Sequence, residues 1–246
     1  MRDTTCTRTL QVILKVSKLC NLRCRYCYEL DHLSERAAMR PEQLRGLYAR
    51  LGRFLVERDR IDGQRTRLQL VWHGGEPLLR PPSFYWQTFA DQQALRAEHD
   101  VMNVVQTNLT VLDPERTRLL RDGFDGVGVS FDAIDGMRVD IRGRSRSRQV
   151  AQNIDALRAA GVPVACIAVL TAAGLPRIDA IFGFFAAAGV SLRVLPLFAG
   201  AWAEQHRGYE ISREDILQAY MRLFELWLAS DQTLEVLPIA QHVRTA

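Results

Sequence analysis

Three cysteines, Cys20, Cys24 and Cys27, stand close together near the N-terminus in the spacing C-x3-C-x2-C. An odd cluster of thiols cannot close into disulfides without leaving one over, and soft sulfur donors this close together suit an iron–sulfur cluster or zinc. A structural zinc site is closed by four protein ligands, whereas a reactive metal site keeps one position open for water or substrate. Three cysteines therefore point to an open site, in which a cubane would have one iron free. The competing reading is a zinc knuckle completed by His32 or Cys6.

Three further polar groupings follow short apolar runs: His73-Gly74-Gly75-Glu76-Pro77, Gln106-Thr107-Asn108 and Ser130-Phe131-Asp132. Gly74 and Gly75 allow a close backbone approach, and Glu76 supplies a carboxylate for a cation. His73 is open to two readings, a proton carrier or a brace for its loop. Asn108, Ser130 and Asp132 suit ligand hydroxyls as well as they suit turns and helix caps.

The elements that would position these groups alternate between short β-branched runs and longer amphipathic stretches, the pattern of repeated βα units on a parallel sheet. Strands are expected at 10–16, 68–72, 101–105, 126–129, 162–170 and 191–197. Helices are expected from Pro41 to about Asp59, where Leu44, Leu47, Leu51 and Leu55 recur at helical spacing, and at 83–98, 113–121, 148–160 and 176–188. A last helix begins at a Ser212/Asp215 capping box, with Leu217, Tyr220, Met221, Phe224, Trp227 and Leu228 as one apolar face packed on the barrel. Six units are too few for an eightfold barrel and predict a partial (β/α)6 barrel of the α/β class. The barrel is expected over residues 1–200, with a C-terminal helix and linker over 201–246. Ligands of such folds bind at the carboxyl ends of the strands, and the first four strands all end in one of the polar groups above.

The 246 residues are 48% hydrophobic and 24% charged, with no apolar run long enough for a membrane span and no signal-peptide pattern at the start. The cytoplasm is the expected location, and five cysteines, three of them clustered, fit a reducing compartment. A net charge of +4 is too mild to argue for nucleic acid. Lysine occurs only at Lys15 and Lys18, so arginine carries nearly all the positive charge. The densest basic run, from Arg138 to Arg148, reads as a solvated loop or a rim for an acidic leader peptide.

On these residues the chain resembles the radical S-adenosylmethionine (SAM) enzymes. The resemblance rests on C-x3-C-x2-C with aromatic Tyr26 before the last cysteine and on Gly74-Gly75-Glu76 at the end of the second strand. It implies that Cys20, Cys24 and Cys27 bind a [4Fe-4S] cluster whose free iron is chelated by the methionine end of SAM. Cleavage of SAM would then yield a 5′-deoxyadenosyl radical that abstracts hydrogen from a substrate. The resemblance further implies Gly74, Gly75 and Glu76 around the SAM ammonium and Arg138, in the spacing D-x-x-R from Asp135, on its carboxylate. Tyr26 would lie beside the adenine and Asn108, Ser130 and Asp132 at the ribose, with Ser130 alternatively on the methionine carboxylate.

Within the superfamily, Tyr28, His73 to Pro77, Ser130 to Asp132 and Arg138 to Gly143 are similar to the SPASM-type maturases of ribosomally made peptides, and in particular to the cyclophane-forming group. That likeness implies a precursor peptide as substrate, an electron donor such as flavodoxin or ferredoxin, and no membrane partner. A runner-up is protein-residue oxidation as in sulfatase-maturing relatives, and a non-enzyme reading is a zinc-stabilised scaffold. The group also carries a cysteine-rich C-terminal extension for auxiliary clusters. After Cys27 this chain has only Cys166, which reads as a core residue, so that extension is expected to be missing from this chain.

Overall fold

The computed structural model describes residues 8–198, 204, 206–240 and 243, so Cys6, Gly200 and Trp202 lie outside the described residues. Seven strands form one sheet in chain order: β1 (Arg8–Ser17), β2 (Thr66–Gly74), β3 (Val101–Thr107), β4 (Gly126–Ser130), β5 (Val164–Leu170), β6 (Ser191–Pro196) and β7 (Val236–Leu237). Every neighbouring pair is parallel. The helices are α1 (Pro41–Asp62), α2 (Pro82–Asp91), α3 (Gln93–Glu98), α4 (Pro114–Asp122), α5 (Ser147–Ala159), α6 (Ile178–Ala188) and α7 (Arg213–Ala229). This is an open α/β sheet of the partial-barrel kind, and the six expected strands are all present.

Alternation along the strands divides the sheet into two faces. Leu68, Leu70 and Trp72 of β2, Val101 and Val105 of β3, and Cys166, Ala168 and Leu170 of β5 are buried in one core with helix residues such as Leu44, Leu55, Tyr85 and Phe185. The intervening residues, including Gln11, Lys15, Gln69, His73, Gln106, Ser130 and Ile167, line the inner face and are exposed or half-buried. Loops that leave the carboxyl ends of the strands therefore converge on one rim above that inner face.

Three departures from the sequence expectations have local causes. The helix expected over 83–98 breaks at Gln92, whose side chain is fully buried and bonds Tyr48 Oη and Asn103. The stretch 234–246, without an expected element, contributes the short strand β7, which β6 extends through a backbone bond from Leu192 to Glu235. On α7 the capping box forms as expected, but the apolar face is split: Ala219, Leu223 and Trp227 are buried, whereas Leu217, Met221, Phe224 and Leu228 face solvent.

The core holds one polar knot. Asn103 Oδ1 accepts from Trp72 Nε1 at 2.8 Å and from Gln92 Nε2 at 3.1 Å, and Asn103 Nδ2 donates to Gln92 Oε1 at 2.8 Å. A buried polar group left without a partner costs its full desolvation penalty. Asn103→Leu is therefore expected to cost about 2 to 4 kcal/mol in urea unfolding, since it strands the Trp72 and Gln92 groups; a loss below about 0.5 kcal/mol would contradict this account.

Candidate functional site

The cysteine loop leaves β1 after a register shift between Lys15 and Ser17 and is sewn to three neighbours by its own backbone. Cys20 N donates to Leu33 O at 2.9 Å, Arg23 N to Val139 O at 2.7 Å and Arg25 N to Met137 O at 3.1 Å. On the side of β2, Gly75 N donates to Ser17 O at 2.8 Å and Glu76 N to Leu19 O at 2.9 Å. A Cβ on Gly74 would lie 2.1 Å from Ser17 O, and one on Gly75 would lie 2.3 Å from Lys18 O and 2.5 Å from Leu19 O. Both glycines are thus required by contact with the cysteine loop, and Gly74 also has a φ of 138° that disfavours a side chain.

Cys20, Cys24, Cys27 and Cys166 are all free thiols. Burial pushes the Cys20 thiol up to about 12 and the Cys24 thiol up to about 11, and it raises Cys27 as well, with each of Cys20's two neighbours adding repulsion. Without a cation the three would remain protonated; bound metal deprotonates such thiols outright. Donors are already aimed at the sulfurs. Leu22 N lies 3.4 Å and Asn108 Nδ2 3.7 Å from Cys20 Sγ, and Arg138 Nη1 lies 3.8 Å from Cys24 Sγ. Hydrogen bonds to cluster-ligating sulfur are one of the levers that set cluster potential, so this donor set fits an iron–sulfur group. Of the residues that could complete a zinc knuckle, His32 has its Nδ1 2.5 Å from Glu35 Oε1, and Cys6 lies outside the described residues.

The acidic residues of the rim are braces. Glu76 is fully buried; its Oε1 accepts from Leu78 N at 2.8 Å and Thr107 Oγ1 at 2.7 Å, and its Oε2 accepts from Asn108 N at 2.6 Å. It ties the end of β2 to the end of β3, which differs from the expected role of a carboxylate presented to a ligand. Asn108 is in turn fixed by Asn21 and by Thr110, and the next residue, Leu109, takes a φ of 51°. Such strained backbone at a strand end is characteristic of functional rims.

Asp132 differs from expectation in the same way. Oδ2 accepts from Tyr26 Oη at 2.6 Å and lies 3.0 Å from Arg138 Nε, while Oδ1 accepts from Val169 N at 2.9 Å and Arg138 Nη2 at 3.2 Å. Tyr26 Oη also accepts from Arg138 Nη2 at 2.6 Å, closing a buried triangle. Both carboxylate oxygens are thus engaged within the protein. Ser130, by contrast, is half-buried on the inner face, where its Oγ accepts from Gln106 Nε2 at 2.8 Å. Gln106 lies across Gly128, where a Cβ would come within 2.2 Å of its Oε1.

Other sequence candidates are placed plainly. His73 Nδ1 accepts from Gly74 N at 2.7 Å, so this ring braces the glycine turn. Lys15 pairs with Glu29 beside the exposed Tyr28 ring. The basic run is partly neutralised, because Asp140 accepts from Arg144 Nε at 2.9 Å and Arg146 Nη2 at 2.6 Å. What sequence reasoning missed is the pairing of Met137–Val139 with the cysteine loop and the two brace roles.

An open parallel sheet with a three-cysteine loop on its rim defines the class. The Radical SAM superfamily model matches residues 14–179, and the chain belongs to that family, whose cofactors are a [4Fe-4S] cluster and SAM. Among characterised relatives, the chain is 33% identical over 172 residues to the serine-type anaerobic sulfatase-maturating enzyme of Bacteroides thetaiotaomicron, covering 66% of this chain and 40% of that one. It is 30% identical over 217 residues to the GTP 3′,8-cyclase of Corynebacterium glutamicum, covering 84% and 54%. The chain thus spans about half the length of these relatives. In fold it resembles native anSMEcpe with bound AdoMet and Cp18Cys peptide, with a TM-score of 0.76 at 19% identity over 93% of this chain and 63% of that one. SuiB of Streptococcus suis bound to S-adenosylmethionine gives a TM-score of 0.65 at 12% identity over 94% and 50%.

Two measurements test this geometry. Gly75→Ala is expected to lower iron and sulfide per chain after anaerobic reconstitution severalfold while far-ultraviolet circular dichroism is retained; full loading would refute the contact argument. Burial pushes the Glu76 carboxyl from 4.5 up to about 7 against the pull of its three hydrogen bonds. A folded-state value raised above the unfolded one means that the folded chain binds the proton more tightly, so stability is lost as pH rises between the two values. The loss is on the order of 3 kcal/mol. Urea midpoints at about pH 5 and about pH 8 should fall more steeply for the wild type than for Glu76→Gln, and parallel curves would remove Glu76 as the cause.

Proposed function

We propose that this chain is the catalytic barrel of a radical SAM enzyme that abstracts hydrogen from a peptide side chain. The observation that carries the reading is the cysteine loop itself. Three free thiols with donors aimed at two of the sulfurs are held against a glycine pair at the carboxyl end of the sheet. Cys20, Cys24 and Cys27 would hold the cluster, which would pass an electron from an external donor to bound SAM, releasing methionine and providing a 5′-deoxyadenosyl radical.

The chain's own residues then divide into contacts and braces. Gly74 and Gly75 keep the floor thin beside the loop, Arg138 is the candidate partner for the carboxylate of SAM, and Ser130 and Asn108 remain the ribose candidates. Tyr26, held by Asp132 and Arg138, is the candidate neighbour of the adenine, and Glu76 and Asp132 keep these groups in register. The inner face, with Lys15, His73, Gln106 and Ile167 along it, is where a peptide would lie.

Peptide chemistry is supported by the likeness to sulfatase-maturating enzymes in sequence and by a fold shared with a peptide-bound structure. The same relatives favour oxidation of a protein residue. Formation of a cyclophane cross-link in a ribosomally made peptide is the second reading, favoured by the wording of Ser130 to Ser145 and Ile167 to Pro176. A domain beginning after residue 200 and leading to auxiliary clusters remains part of the proposal, as do a cytoplasmic location and a flavodoxin or ferredoxin donor. Among the described residues no helix is long and apolar enough to cross a membrane.

The experiment is anaerobic reconstitution followed by SAM and dithionite, with 5′-deoxyadenosine measured in the presence of a serine- or cysteine-containing sulfatase peptide, a short peptide encoded beside this gene, or GTP. Stimulation by either peptide with a mass loss in that peptide supports the reading; stimulation by GTP alone overturns the peptide assignment. Cys24→Ala is expected to abolish cluster absorbance and SAM cleavage together, and retained cleavage would contradict the ligand set.

A further inference from the structure

Asp132, Arg138 and Tyr26 form a closed unit with one open edge. Arg138 Nη2 donates to Asp132 Oδ1 at 3.2 Å, and Nε lies 3.0 Å from Oδ2 as an ion-pair contact without hydrogen-bond geometry. The side chains are 6% and 2% exposed, so neither charge is screened by water. Tyr26 Oη bridges the two, donating to Asp132 Oδ2 and accepting from Arg138 Nη2. Nη1 is the remaining nitrogen, and it points at Cys24 Sγ from 3.8 Å.

Each member comes from a different place in the chain. Asp132 follows β4, Arg138 lies in the loop whose backbone pairs with the cysteine segment, and Tyr26 is inside that segment. Asp132 also accepts from the backbone of Val169 in β5, so the unit is anchored to the sheet.

We propose that Asp132 is a positioning residue that holds Arg138 as a charge-compensated pair beside Cys24, and that this pair sets the reduction potential of the cluster bound by the cysteine loop. The proposal rests on the cofactor assignment above. One-electron reduction of the cluster adds one negative charge, and the electron comes from an external low-potential donor. A lone guanidinium beside Cys24 favours the reduced state; a lone carboxylate disfavours it; in the pair each charge partly offsets the other. Asp132 offsets the positive charge of Arg138 while leaving the Nη1 donor directed at Cys24 Sγ.

The test is a redox titration of the reconstituted protein without SAM, followed by electron paramagnetic resonance, on wild type, Asp132→Asn, Arg138→Gln, Arg138→Lys and the double variant Asp132→Asn/Arg138→Gln. The expected result is a shift to higher potential for Asp132→Asn and to lower potential for Arg138→Gln. Arg138→Lys, which keeps the charge, and the double variant, which removes both charges, should stay nearer to wild type. Shifts of the same sign, or none, overturn the proposal. If the two single variants fail to hold iron, restored iron content in the double variant supports the pairing, and its continued loss assigns the unit to packing alone. A wild-type chain that takes up no iron and sulfide would sink the cofactor assignment and this proposal with it, whereas a loaded wild type with unshifted variants sinks only the latter.

Discussion

The backbone contact between Gly74-Gly75 and Ser17–Leu19 is the constraint on which the site depends. With no room for a Cβ at either glycine, β2 can end against the cysteine loop and hand it two backbone hydrogen bonds. The loop is irregular and would otherwise carry unpaired peptide groups, which a buried segment cannot afford. Further bonds to the carbonyls of Leu33, Met137 and Val139 complete its support, so the cysteine loop is held from three sides.

Two buried carboxylates repeat one device around this contact. Glu76 gathers the ends of β2 and β3, and Asp132 gathers the end of β4, the backbone of β5 and the cysteine loop. Each sits where a strand passes into a rim loop, and each accepts three hydrogen bonds. Buried charge is costly unless fully paired. Asp132 is paired with Arg138, whereas Glu76 is held by backbone N–H groups and a hydroxyl and is still raised by burial, and the rim acquires a defined geometry. Positive φ values at Leu109 and Ala133, the residues after Asn108 and Asp132, show where the chain is bent sharply to do so.

Much of this was legible in the sequence, for physical reasons that separate what could be read from what could not. Six strands were visible because β-branched runs alternate with amphipathic helices, and the rim was visible because polar groups terminate four consecutive strands. The cysteine cluster itself was visible in residue type and spacing, which suit an iron–sulfur group or zinc. The roles of Glu76 and Asp132 did not, because a carboxylate at a strand end looks the same whether it faces a ligand or a neighbouring strand; only the partners decide. The break at Gln92 was hidden because a glutamine within a helical pattern carries no signal of its bonds to Tyr48 and Asn103. On α7, Leu217, Met221, Phe224 and Leu228 fall at the same helical spacing as core residues, so periodicity could not tell the exposed stripe from the buried one.

The central claim is that Cys20, Cys24 and Cys27 leave one iron of a four-iron cluster without a protein ligand, open to SAM. Mössbauer spectroscopy of protein reconstituted with iron-57, recorded with and without SAM, tests it most directly. The account predicts that one iron site in four changes its isomer shift when SAM is added while the other three do not. Four sites indifferent to SAM, or stoichiometric zinc in place of iron, would contradict it.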